Sequence, residues 1–98
     1  MNILFIGRDT KMLEVVVRLI NGQPGWHATG AQTDANAIEL FVQHTFDLVL
    51  VGAGVDQQSV VLLTDNFRKK NASIKIVMHY GGGSGLLFNE IREAIGNN

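Results

Sequence analysis

The chain has 98 residues, enough for one small core and too few for two, so residues 1–98 are read as a single domain. Apolar residues make up 46% and charged residues 17%, which excludes a disordered chain. The formal net charge is -1 and the only basic cluster is Arg68, Lys69 and Lys70, so no field draws in nucleic acid or an anionic membrane, and with no cysteine there are no thiolate nucleophiles, disulfides or cysteine zinc motifs.

The opening "MNILFIGRD" has too short an apolar run and no basic lead, so it is not read as a signal peptide, and a cytoplasmic location is expected. No apolar stretch reaches the roughly 18 residues of a membrane span. Residues 2–6 form a first strand whose apolar residues do not alternate with polar ones, as expected where helices cover both faces. A helix follows, capped by Asp9 or Thr10 and running to about Ile20, with Asn21 and Gly22 as its stop. It is so apolar that it is either well buried or an interface helix. "GQPGW" is a turn, with Pro24 fixing φ and the flanking glycines able to take positive φ.

The second strand, 26–31, is short and weakly apolar, which fits a sheet edge. Asp34 is the expected N-cap of a helix over 35–44, with Ile38, Phe41 and Val42 inward. The most apolar run, 47–51, is a central strand. A third helix starts at Asp56 or Ser59, carries Val60, Val61, Leu63 and Phe67, and ends in Arg68, Lys69 and Lys70, where positive charge suits a helix C-terminus. The fourth strand, 74–78, leads through His79, Tyr80 and "GGGSG" to a last helix over 86–95, stopped by Gly96. Strands alternating with helices specify a three-layer α/β/α open parallel sheet.

Ligands of such sheets bind beyond the strand carboxyl ends. The loops there hold Arg8, Asp9, Thr10, His79, Tyr80 and many glycines, but no nucleophile–base pair and no repeated carboxylates for a metal. "GGGSG" lacks the Lys and Ser/Thr of a P-loop and serves either as a turn or as an anion cradle. In the second case Arg8, Thr10, Tyr80, Gly82 and Ser84 form a small-ligand or anion site. His27, His44 and His79 have no metal or catalytic spacing, and only His79 stands at a strand's carboxyl end.

Four segments carry a resemblance to response-regulator receiver domains, which have a flavodoxin-like fold. "NILFIGRD" is similar to the family's first strand and acidic loop, and "AQTDANAIELFVQHTFDLVLVG" to its second strand, second helix and third strand. "SIKIVMHY" and "LLFNEIREAIG" resemble its fourth strand and final helix. The resemblance implies four strands in the order 2-1-3-4, one strand–helix unit fewer than the family's five strands. It also implies a lost chemistry. The magnesium-binding acidic pair falls on Gly7 and Arg8, with Asp9 one place late, the phosphoacceptor on Gly52, and the switch Ser/Thr on Tyr80, while the fifth-strand lysine has no counterpart.

Aspartyl phosphorylation needs a carboxylate nucleophile, a carboxylate-held cation and a balancing positive charge. The expectation is therefore a non-catalytic pseudo-receiver, without cofactor or metal, that acts by recognition in signal transduction. Its fourth strand, left at an edge with Lys75, Ile76 and Val77 exposed to pairing, points to a homodimer or to another signalling protein as partner.

Overall fold

The computed structural model describes residues 1–80 and 84–96, and of Ser84 only the backbone. Four strands alternate with four helices: β1 (Asn2–Ile6), α1 (Thr10–Asn21), β2 (His27–Ala31), α2 (Asp34–Gln43), β3 (Leu48–Gly52), α3 (Gln57–Lys70), β4 (Lys75–His79) and α4 (Ser84–Ala94). All pairings are parallel, and the sheet order is β2-β1-β3-β4, as the resemblance implies.

The two central strands are buried on both faces, which is why they read as unbroken apolar runs. Ile3 and Phe5 of β1 and Leu48 and Leu50 of β3 face one side, where Val16 and Ile20 of α1 meet Leu87 and Ile91 of α4. Leu4, Ile6, Val49 and Val51 face the other side, against Ala37 and Phe41 of α2 and Leu63 and Phe67 of α3. There the Phe41 and Phe67 rings stack at 4.4 Å between centroids. Of the outer strands, β2 alternates between exposed and half-buried residues up to the buried Ala31, whereas β4 is exposed at Lys75, half-buried from Ile76 to Met78 and buried at His79.

Local chemistry sets the element ends. Asp9 caps α1 by accepting from the Met12 N–H, and Asp56 caps α3 by accepting from Ser59. The cap of α2 differs from expectation: Thr33 accepts from the Asn36 N–H, and Asp34 lies inside the first turn. Asp47 stands just outside β3, where its carboxylate accepts from the Asn2 N–H at 2.7 Å and ties the starts of β1 and β3 together. In the "GQPGW" turn Gly25 takes a positive φ of 79°, while Gly22 caps α1 in a right-handed conformation. The basic end of α3 does more than complement its own dipole. Lys70 donates to the carbonyls of Phe41, Val42 and His44, closing the C-terminus of α2. No helix among the described residues is long and apolar enough to cross a membrane.

Candidate functional site at the β1–β3 carboxyl ends

The chain winds outward from β1 in one direction to β2 and in the other to β3 and β4, so the topological switch point lies between the carboxyl ends of β1 and β3. Gly7 and Gly52 stand there, one step past the Ile6–Val51 pair. Both lie against the ring of Phe5. A Cβ on Gly7 would sit 2.8 Å from Phe5 Cε2; one on Gly52 would sit 3.3 Å from Phe5 Cζ and 3.1 Å from the Ile6 carbonyl oxygen. Phe5 is buried and its ring takes up the space where side chains from these two positions would project.

Arg8 points to the opposite face of the sheet. Its Nη1 donates to the Gln32 carbonyl at 2.7 Å, and its Nη2 donates to Asp34 Oδ1 at 2.5 Å and to Ser59 Oγ at 3.2 Å. Ser59 in turn donates its hydroxyl to Asp34 Oδ2 at 2.7 Å. Three segments distant in sequence, the β1–α1 loop, the start of α2 and the first turn of α3, are thereby joined around one ion pair. The Arg8 hydrogen bond, then the Ser59 hydroxyl, hold the Asp34 carboxyl below its ordinary range against the opposing effect of burial. The Gln32 amide donates to the Thr10 hydroxyl at 2.7 Å and to the Arg8 carbonyl at 3.2 Å, so Arg8 and Thr10 do meet, through Gln32.

The other sequence candidates are placed as follows. Tyr80 is 73% exposed and has no described partner in common with Arg8. Gly82 lies outside the described residues, as does the Ser84 side chain, although the Ser84 backbone opens α4. On the outer edge of β4, Lys75 is exposed and Ile76 and Val77 are half-buried. His27 and His44 are exposed, His44 with its ring edge toward Phe46.

The pairing of His79 with Glu90 is the feature that sequence reasoning missed. It is buried, and its Nδ1 lies 2.5 Å from Glu90 Oε1 on α4. Strand alternation puts Lys75, Val77 and His79 on one face, and the spacing of Leu87 and Ile91 turns α4 toward it, so the meeting was partly legible. What was not legible is the depth of burial. Next to this pair an open cleft of about 630 Å³ lies between α1 and α4, floored by Phe5, Gly7 and Gly52 and walled by Met12, Val15 and Leu87. Among the described residues no three His, Cys, Asp or Glu side chains gather as metal ligands. Among the described residues the site offers an ion pair closed by a serine hydroxyl, a His–Glu pair and an apolar hollow.

A parallel sheet in the order 2-1-3-4, two helices on each face and glycines at the switch point define a four-stranded flavodoxin-like fold of the receiver type. The chain has the fold of response-regulator receiver domains. It is similar to the two-component transcriptional regulator AraC from Clostridium phytofermentans, with 14% identity and a TM-score of 0.80 over 98% of this chain and 92% of that one. It is also similar to a response regulator receiver domain protein from Clostridium thermocellum, with 13% identity and a TM-score of 0.78 over 97% and 94% of the two chains. A third similar structure, histidine kinase ThkA in complex with response regulator protein TrrA, gives 20% identity and a TM-score of 0.70 over 97% and 95%. At these identities the likeness is one of fold. No protein-family model and no curated protein matches the chain.

Proposed function

We propose that the chain is a receiver-type signalling module that recognises a partner protein without being phosphorylated on aspartate, and that the partner is a second copy of itself. The observation that carries the loss of phosphorylation is the Phe5 ring against Gly7 and Gly52. In the receiver pattern those positions supply a magnesium-binding carboxylate and the phosphoacceptor; here they have no side chain, and an aromatic ring stands in the space. A phosphoryl group transferring there would find neither a nucleophile nor a held cation. Arg8, next in sequence to Gly7, is paired with Asp34 on the other face of the sheet.

Recognition by a second copy is supported by the edge at β4. This strand hydrogen-bonds to β3 on one side, leaving the peptide groups of its other side for a further strand. It carries no proline, and Lys75 is the one exposed charge along it. Strand addition across a two-fold axis would extend the sheet from four to eight strands and cover Ile76 and Val77. The module works in the cytoplasm and has no enzymatic activity of its own.

Beryllofluoride with magnesium, the stable mimic of an aspartyl phosphate, tests the first half. The amide spectrum is expected to stay unchanged on its addition. Shifts centred on Asp9 or Asp56 would place an acceptor there and overturn the proposal.

A further inference from the structure

The sheet ends at β4, and the two faces of that strand carry different chemistry. Lys75, Val77 and His79 stand on the α4 face, level with Leu48, Leu50 and Gly52 of β3, whereas Ile76 and Met78 stand on the α2–α3 face, level with Val49 and Val51. Ile76, Val77 and Met78 are only half-buried, although every residue of β3 beside them is buried. Both faces are short of cover at this edge.

The orientation of α4 decides what overhangs it. The Phe88 ring meets Trp26 edge-on at 6.1 Å and the Arg92 guanidinium lies over the same indole at 5.6 Å, so one flank of α4 faces Trp26, just before β2. Glu90, two positions from each of them, falls on the opposite flank, toward the free edge of the sheet. There its carboxylate reaches His79 Nδ1 with 21% of the side chain still exposed. A carboxylate therefore overhangs the carboxyl end of β4, while an exposed ammonium, Lys75, stands on the same face at the amino end. A strand charged in this way is complementary to itself when turned end for end.

We infer that the second copy joins β4 antiparallel about a two-fold axis through Val77, an inference that rests on the pairing at β4 proposed above and fixes its register. Val77 is the centre of the five-residue strand, so this axis alone pairs every residue of β4. Ile76 stands opposite the partner's Met78, and the two such pairs make one apolar cluster on the α2–α3 face. On the α4 face each Lys75 stands beside the partner's His79, and its ammonium meets the partner's Glu90, whose carboxylate has acceptor capacity for both. An axis through Ile76 or Met78 pairs fewer residues and sets a polar side chain, Lys75 or His79, against the partner's Val77.

The chain has no cysteine, so single cysteines report the register. About an axis at Val77 the two copies of that residue are directly opposite, about 4.5–5.5 Å apart, whereas the two copies of Ile76 lie on a diagonal of about 7–8 Å, beyond a disulfide's reach. Oxidised at concentrations where light scattering gives a dimer, Val77→Cys should form a disulfide-linked dimer on a non-reducing gel, and Ile76→Cys should stay a single chain. Lys75→Glu should raise the dimer dissociation constant about tenfold by reversing two ion pairs; one charge replaces another, so the loss reports its sign. Cross-linking of Ile76→Cys equal to or above that of Val77→Cys, or a dissociation constant indifferent to Lys75→Glu, would overturn the inference and leave the pairing at β4 in place. A monomer at every concentration would overturn both.

Discussion

Arg8 and Asp34 form an ion pair at 2.5 Å that joins the end of β1 to the start of α2, and Ser59 of α3 closes the cluster with a hydrogen bond to each partner. Asp34→Asn removes the charge and leaves the half-buried guanidinium with weaker acceptors. A loss of about 1–2 kcal/mol in urea unfolding at neutral pH is expected. The pH dependence has a definite sign. The Asp34 pKa is lower in the folded chain than its ordinary value of 3.8, so its contribution is complete above that value and disappears as the pH falls through the lower, folded one. The stability gap between wild type and Asp34→Asn should therefore be constant from neutral pH down to the carboxylate range and close below it. A gap that persisted in acid would mean that the effect is steric.

Restoring a carboxylate at the acceptor position should not restore the chemistry. In Gly52→Asp the new Cβ would press on the Ile6 carbonyl and the Phe5 ring, and the charge would enter a buried position. A cost of about 2–4 kcal/mol is expected from the crowding and the desolvated charge. Adding Phe5→Leu should recover part of it by vacating the ring's space, and chemical denaturation of the single and double variants measures the coupling.

Lys70 ties α3 to α2 through three carbonyls and also lies over the Phe41 ring at 5.3 Å. Lys70→Met keeps most of the aliphatic stem and removes the donors, so a loss of about 1–2 kcal/mol is expected. Lys69→Met, one residue away and exposed, should change stability by less than about 0.5 kcal/mol. Thermal melts of the two variants provide the comparison.

How far the fold could be read ahead of the structure depended on whether one residue or two carried the signal. The strands and helices were legible because a doubly covered strand leaves an unbroken apolar run and a half-covered helix a periodic one, as in β3 and α4. The α2 cap was misassigned because Thr33 and Asp34 are both good capping residues. The choice between them is made by Arg8, 26 positions away, which takes Asp34 for itself. Similarly, a lone arginine in a loop carries no mark of the partners that will engage it, and the anion site built on Arg8 ignored that competition.

The absence of a carboxylate at Gly7 and Gly52 was plain in the sequence, but the plug was not. Strand alternation places Phe5 and Gly7 on one face; only the β1–β3 register brings Gly52 level with them. The spacing of Leu87 and Ile91 turns α4 toward the face of His79, but the position of α4 along β4 that sets Glu90 against His79 is not fixed by periodicity.

The central claim is that this receiver-type fold acts by pairing with its own copy at β4, and solution mass by light scattering over a wide range of concentration tests it most directly. The account predicts a dimer that dissociates on dilution and is reduced to monomer by Ile76→Lys, which places a charge on the paired edge. A monomer at every concentration, or a dimer indifferent to Ile76→Lys, would contradict it.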